Sequence, residues 1–176
     1  ASLAALPALA QPRRAPAAPR AGAHGRGKDP VPTGSPADTP LGPVDTVAKW
    51  AFAVDFVTGA TLLDKNADEE MPPSSMTKLM TIYIVYERLK SGRLKLDDEL
   101  PVSERAWRMG GSKMFVQVGT QVKVEDLIKG VIVQSGNDAC LVLAEAIAGS
   151  EEQFVELMNQ TAKQLGLTHS FFKNCT

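Results

Sequence analysis

Hydrophobic and polar residues alternate over residues 50–63, which is the two-residue period of a β-strand. Phe52, Val54 and Phe56 can share one face of such a strand, and aromatic and β-branched residues favour strands. The Thr-Gly pair at 58–59 falls where the chain must turn sharply. The pattern therefore predicts a β-hairpin at the start of the folded part of the chain.

Helical periodicity dominates the remainder of the sequence. Pro72-Pro73-Ser74 is a helix-start signal. In the segment after it, 76–90, apolar residues fall around most of the helix, so its polar face is narrow. We expect this helix to be mostly buried through Met76, Leu79, Met80, Tyr83, Ile84 and Leu89. Further helices are predicted over 124–133, over 138–148, and from a capping box of Ser150 and Gln153 as far as Gly166.

The segment 94–120, between the first two long helices, has a mixed pattern. Ser103 is predicted to cap a short helix through Trp107, and residues 114–118 are predicted to form a short strand. Strands that precede and interrupt a cluster of helices indicate the α+β fold class.

Composition divides the chain near residue 48. Residues 1–48 contain 9 of the 12 prolines and no aromatic residue, so they lack the large side chains that build a core. Residues 1–10 include the small-x-small pattern Ala-Leu-Ala and are predicted to be a remnant of a secretory signal, with a low-complexity tail as the alternative. Residues 11–48 are predicted to be a Pro/Ala-rich disordered linker, and 49–176 a folded body.

Charge and residue counts exclude several classes of protein. Residues 49–176 hold 14 Lys and Arg against 17 Asp and Glu, so we expect no nucleic-acid partner. With two cysteines and two histidines in the whole chain, we expect neither a metal site nor a disulfide framework. No apolar run approaches the ~18 residues that span a bilayer, so we expect no membrane span in this chain.

Ser75 and Lys78 are the first candidates for chemistry. Three helical steps separate their side chains by about 60° around the axis and about 4.5 Å along it, so both can face one pocket. The helix dipole and burial both disfavour a cation at this position, and an uncharged amine beside a hydroxyl can act as a general base. The alternative is that Ser74 or Ser75 only caps the helix while Lys78 extends to water.

Ser135-Gly136-Asn137 is the second candidate, because it lies in the break between two apolar helices. The glycine permits a turn that projects a hydroxyl and an amide into one cavity, and the amide can both donate to and accept from a peptide. The alternative is that Asn137 only caps the helix that follows.

Taken together, residues 73–81 and residues 135–139 resemble the first two motifs of the serine D-alanyl-D-alanine carboxypeptidases, the low-molecular-mass penicillin-binding proteins. The resemblance extends from about residue 50 to 176 and implies a partial serine β-lactamase/DD-peptidase-like fold, with a helical cluster packed on the N-terminal hairpin. It implies that Ser75, Lys78 and Ser135 are catalytic, that Asn137 binds substrate, and that no cofactor or metal is needed.

The same resemblance implies a substrate and a location. The substrate would be a peptidoglycan stem peptide ending in D-Ala-D-Ala, cut through a serine ester, with β-lactam antibiotics as inhibitors. The location would be the periplasm or the exterior of a bacterial cell envelope.

The sequence departs from the family pattern because it contains no Lys-Thr-Gly motif. Phe172 is followed by only four residues, too few to return to a core, so we expect the chain to be cut before that motif and the later sheet strands. We expect this polypeptide alone to be inactive or poorly folded. Whether Cys140 and Cys175 pair is left open.

Three alternatives remain open at this point. A class A β-lactamase shares the architecture, but it should carry Ser-Asp-Asn where residue 136 is glycine. A non-catalytic envelope protein could keep the fold in order to bind cell-wall peptide. An endopeptidase that cuts cross-links would use the same two motifs.

Overall fold

A computed structural model describes residues 46–176 of the chain. These residues belong to two compact units that divide between Met71 and Pro72. The predicted signal remnant over 1–10 lies outside the described residues, as does the predicted linker over 11–48 apart from its last three residues.

The first unit contains the predicted hairpin, which is confirmed. Strand β1, Ala51–Val54, pairs antiparallel with β2, Thr61–Lys65, and the register shifts between the last two residues of β1. Phe56 follows the end of β1 and lies exposed in the connecting turn, so the prediction that it shares a strand face with Phe52 and Val54 is wrong.

A side-chain carboxylate organises this turn. Asp55 accepts hydrogen bonds from the backbone N–H of Val57 and Thr58 and from the Thr58 hydroxyl, the last at 2.7 Å. These bonds, the Thr58 side chain first, lower the pKa of Asp55 below its ordinary value. Gly59 closes the turn with a φ of 71°, a left-handed conformation that costs glycine nothing.

The second unit is a helical cluster with one small sheet, so the α+β class is confirmed. Its elements in chain order are a 3₁₀ turn Ser74–Thr77, α1 Lys78–Lys90, β3 Glu99–Pro101, α2 Glu104–Trp107, β4 Gln121–Lys123, α3 Val124–Gln134, α4 Asn137–Ala148 and α5 Glu151–Gln164. Strands β3 and β4 pair antiparallel.

Two predicted helix caps are confirmed. Ser103 accepts a hydrogen bond from the N–H of Ala106 at the start of α2, and Ser150 accepts one from Gln153 at the start of α5. Arg105 of α2 then forms ion pairs with both acidic residues of the first turn of α5. The predicted starts of α2 and α5 are therefore correct.

Helix α4 forms the centre of the second unit. It packs against α1, α2, α3 and α5, and every residue from Asp138 to Ala144 is buried. A helix that is apolar or small on all sides is suited to this place because it has no face that needs water. Phe154 and Met158 of α5 and Leu127 of α3 complete the fully buried core around it.

Helix α1 is less buried than the sequence predicts. Met80, Ile84 and Val85 are buried against the other helices, but Leu79 and Tyr83 are exposed, Leu79 at 73%, as is Met76 in the turn before α1. The prediction of a mostly buried helix is wrong for this side. Apolar residues occur on both sides of α1, and the neighbouring helices of its unit cover only one of them.

The predicted strand over 114–118 is also wrong. Met114 and Val116 donate their backbone N–H groups to the side chain of Asp138, at 3.0 and 3.1 Å, so these groups are not available for a strand ladder. Phe115 between them has a φ of 64°, which no regular strand contains. The sheet forms instead from β3 and β4 on either side of this loop.

The last residues of the chain return to the core, contrary to expectation. The Asn159 side chain accepts from the N–H of Phe172 and donates to its carbonyl, at 2.8 and 2.9 Å. The buried Thr81 hydroxyl of α1 donates to the carbonyl of Cys175 at 2.7 Å. The four residues after Phe172 are enough to reach the core, because hydrogen bonds from the side chains of Asn159 and Thr81 hold this segment without regular secondary structure.

Cys140 and Cys175 are both fully buried and both free. Burial raises the pKa of the Cys140 thiol to about 12, and burial raises that of Cys175 well above the ordinary value. The described part of the chain contains no helix with the length and apolarity that a membrane crossing requires.

Phe154→Ala tests the position of the core. Phe154 is fully buried between α4 and α5, so its truncation should lower the free energy of unfolding by about 3–5 kcal/mol. Phe171→Ala is the matched control, because this phenylalanine is 73% exposed and its loss should change stability by less than about 0.5 kcal/mol. Urea unfolding of both variants measures the difference, and equal effects would contradict the assigned core.

The two thiols should be protected from alkylation. Thiolate is the reactive form, and a pKa raised by burial leaves very little of it at pH 8. Iodoacetamide at pH 8 should therefore label both cysteines at least about tenfold more slowly in the folded protein than in urea. Mass spectrometry of the labelled peptides gives the rates. Rapid labelling of either cysteine in the folded state would show that its side chain is not buried.

Candidate active site

The Lys78 side chain meets the Ser75 hydroxyl. Their Nζ and Oγ atoms lie 3.0 Å apart. Ser75 is exposed whereas Lys78 is only 6% exposed, so a buried amine contacts an accessible hydroxyl. No carboxylate pairs with Lys78 among residues 46–176, and Ser75 is its hydrogen-bond partner.

The local backbone explains this short contact. Ser75 lies in the 3₁₀ turn, and Lys78 is the first residue of α1. In a 3₁₀ helix the side chains at i and i+3 are eclipsed, whereas in an α-helix they are offset by about 60°. The tighter turn therefore aligns the two side chains more closely than the α-helix assumed from the sequence.

The capping interpretation of this segment is wrong. Pro73 occupies the N-cap position, and no side chain makes a cap hydrogen bond at the start of either the 3₁₀ turn or α1. Lys78 does not extend to water, because it is buried. Ser74, directly before Ser75, has a φ of 49°, a conformation that is uncommon for a residue with a side chain and that is concentrated at functional sites.

Ser135, Gly136 and Asn137 form the turn between α3 and α4. Ser135 ends α3 with a φ of 53°, so the left-handed residue of this turn is the serine and not the glycine. Gly136 has a φ of −63°, and a Cβ there would lie 3.0 Å from Asp138 Oδ1 and 3.2 Å from the carbonyl of Gly130. The glycine is needed for this close packing.

Asn137 is held by the loop that precedes β4. Its backbone N–H donates to the carbonyl of Ser112 at 2.8 Å, and its Nδ2 donates to the carbonyl of Gly110 at 2.9 Å. It makes no cap hydrogen bond at the start of α4, so the capping interpretation is wrong here too. Its side-chain carbonyl oxygen remains available to accept a bond from a peptide N–H.

Helix packing relates the two candidate segments. Helix α1, which begins at Lys78, packs against both α3 and α4, and the turn of Ser135, Gly136 and Asn137 joins those two helices.

Asp138 is a buried residue of this region whose contacts sequence reasoning missed. It is 1% exposed, and its carboxylate accepts from the N–H groups of Met114, Val116 and Ala139. A signal was present, since a carboxylate among the apolar residues of α4 must find donors when it is buried. The donors at Met114 and Val116 lie more than 20 residues upstream, and no spacing rule points to them.

The described residues offer no place for a metal ion. No three His, Cys, Asp or Glu side chains gather as ligands between residues 46 and 176. His169 lies near the C-terminus beside Leu167 and Phe171, along a shallow groove bordered by the end of α5.

Comparison with known proteins gives one family. The sequence model of the D-alanyl-D-alanine carboxypeptidase family matches residues 37–176. The carboxypeptidase DacF of Bacillus subtilis is 45% identical over 129 residues, which are 73% of this chain and 33% of that protein. The chain thus spans about a third of the length of this curated relative.

Solved structures agree with the sequence comparison. The D-alanyl-D-alanine carboxypeptidase DacD of Francisella tularensis is 41% identical, with a TM-score of 0.71 over 85% of this chain and 34% of that one. A penicillin-binding protein of Listeria monocytogenes, solved in the ampicillin-bound form, is 28% identical with a TM-score of 0.64, over 73% of this chain and 51% of that one. With its helical cluster and paired Ser75 and Lys78, the chain belongs to the D-alanyl-D-alanine carboxypeptidase family.

Proposed function

We propose that this chain carries the acylating half of a serine-type D-Ala-D-Ala carboxypeptidase that trims peptidoglycan stem peptides. The observation that carries the proposal is the 3.0 Å contact between the Ser75 hydroxyl and the buried amine of Lys78. Because the chain spans about a third of its relative's length and lacks a Lys-Thr-Gly motif, the activity is assigned to the complete product of its gene.

The first step is acyl transfer to Ser75. Its Oγ attacks the carbonyl carbon between the two D-alanines, and the uncharged amine of Lys78 accepts the hydroxyl proton. The N–H of Ser75 lies at the start of a helical segment, where N–H groups have no partner within the helix, so it can donate to the developing oxyanion.

Ser135 and Asn137 serve the departing group and the remaining peptide. As the C–N bond breaks, Ser135 relays the proton from Lys78: its hydroxyl gives a proton to the amine of the departing D-alanine and takes one from the Lys78 ammonium. The Asn137 side chain holds the substrate backbone through its free carbonyl oxygen. Water then hydrolyses the serine ester and releases the shortened peptide. The bonds from the Nδ2 and the backbone N–H of Asn137 to the carbonyls of Gly110 and Ser112 support this role, because they fix the orientation of its side chain.

β-Lactam binding follows from the same chemistry. A β-lactam presents an acyl carbon to the nucleophile that attacks the peptide, and a relative from Listeria has been solved with ampicillin bound. We propose that penicillins acylate Ser75. We also propose that the protein works at the bacterial cell envelope, where the stem peptides are.

Ser75→Ala should abolish release of D-alanine. In the complete gene product, loss of the nucleophile removes the acyl-enzyme route, so release from a D-Ala-D-Ala pentapeptide should fall by at least about 10³-fold. Ser91→Ala is the matched control, because this serine is exposed at the far end of α1 and its variant should keep the wild-type rate. A coupled assay for free D-alanine measures both.

The same assay separates an enzyme from a binding protein. If the wild-type protein binds the pentapeptide but releases no D-alanine, the fold serves peptide binding and the proposed activity is wrong. If Ser75→Ala keeps the wild-type rate, another residue is the nucleophile.

Lys78→Gln should slow acylation without unfolding the protein. Glutamine preserves most of the buried stem but supplies no base, and positioned bases contribute about 10²–10⁴-fold. Stopped-flow acylation by a fluorescent penicillin should therefore be at least about 100-fold slower than in wild type. Lys90→Gln, at the exposed end of α1, should leave the rate unchanged. A normal rate for Lys78→Gln would show that the proton leaves by another path.

A further inference from the structure

We propose that Asp138 is a positioning residue of the acyl-transfer site, and that it acts through the 110–116 loop on the side chain of Asn137. This inference rests on the proposed function. It adds a residue that neither contacts substrate nor transfers a proton but sets the geometry of one that binds substrate.

The Asp138 carboxylate accepts hydrogen bonds from the 110–116 loop and from its own helix. Oδ1 of Asp138 accepts from the N–H of Met114 at 3.0 Å and from its own helix at Ala139, at 2.9 Å. Oδ2 accepts from the N–H of Val116 at 3.1 Å. Two N–H groups of one loop thus converge on a single buried side chain.

These bonds impose a backbone shape on the loop. Phe115 lies between the two donors, with a φ of 64° and an exposed side chain. This conformation of a bulky residue raises the free energy of the folded state, so it is found only where the surrounding structure holds it in place. The paired N–H bonds to Asp138 supply that fixation.

The other end of the same loop holds Asn137. The carbonyls of Gly110 and Ser112 accept from Nδ2 and the backbone N–H of Asn137, respectively. A Cβ on Gly111 would lie 2.6 Å from Nδ2, so the loop is in direct contact with the amide. The loop is therefore fastened to adjacent residues of α4, with its shape set by Asp138 and its carbonyls bonded to Asn137.

The turn that carries Ser135 packs against the Asp138 carboxylate and the 110–116 loop. A Cβ on Gly136 would lie 3.0 Å from Oδ1 of Asp138 and 3.2 Å from the N of Met114. The carboxylate, the loop and the turn that carries Ser135 thus form one packed unit. A change at Asp138 is transmitted to the site because there is little free space to absorb it.

Asp138→Asn is the direct test. The side chain keeps its size, but an NH₂ group replaces one acceptor oxygen and faces an N–H donor, so the loop loses at least one of its bonds. Acylation by a fluorescent penicillin is measured in the complete gene product for wild type, Asp138→Asn, Asn137→Ala and the double variant. Each single variant should acylate about 10–100-fold more slowly, because small displacements of positioning groups have effects of this size.

The double variant distinguishes positioning from general stability. If Asp138 acts through Asn137, then Asp138→Asn should add less than about threefold once the amide is absent. If the fold-losses of the two single variants multiply in the double variant, or if Asp138→Asn keeps the wild-type rate, the inference is overturned. Asp126→Asn on the exposed surface of α3 is the matched control and should keep the wild-type rate.

A second variant keeps the test decisive if Asp138→Asn does not fold. Gly111→Ala leaves the carboxylate intact but places a methyl group against Nδ2 of Asn137 at a φ of +76°. It should also slow acylation about 10–100-fold and be non-additive with Asn137→Ala. A normal rate in this variant would overturn the coupling between loop and amide.

The outcomes separate this inference from the proposed function. A wild-type protein that is never acylated at Ser75 would contradict the function and the inference together. Normal acylation of wild type with no effect of Asp138→Asn would contradict only the role of Asp138. Circular dichroism and thermal unfolding of each variant identify any loss of rate that comes from unfolding.

Discussion

The site depends on the junction between a 3₁₀ turn and an α-helix. At this junction the Lys78 amine reaches the Ser75 hydroxyl at 3.0 Å while the lysine remains buried. Two prolines lead into the turn, and the first residue after them, Ser74, takes a left-handed conformation. A regular α-helix from Ser74 onward would offset the two side chains by about 60°, so the 3₁₀ turn aligns the hydroxyl and the amine more closely.

Burial of Lys78 links this contact to the rest of the fold. Helix α1, which begins at Lys78, packs against α3, α4 and α5, and the first turn of α4 carries Asn137 and Asp138. The apolar helix α4 therefore builds the core and carries part of the second candidate motif. Because the buried polar side chains in the described residues all have hydrogen-bond partners, this arrangement carries no unsatisfied group.

The sequence predicts more of the site than of its surroundings. The spacing of Ser75 and Lys78 on a helix was sufficient to place them together, and the caps at Ser103 and Ser150 were correct because each is a local interaction. The prediction of a strand over 114–118 was wrong because Met114 and Val116 donate hydrogen bonds to a carboxylate more than 20 residues away. The prediction that α1 is mostly buried was wrong for a related reason. The pattern gives the positions of apolar residues on the helix but not which neighbouring element packs against them.

The most direct test of the central claim is to locate the penicillin adduct. The complete gene product is incubated with a penicillin, digested, and the modified peptide is sequenced by tandem mass spectrometry. The account predicts a single ester on Ser75 and none on the adjacent Ser74, because only Ser75 contacts the Lys78 amine. An adduct on Ser74 or Ser135, or a protein that carries no adduct at all, would contradict it.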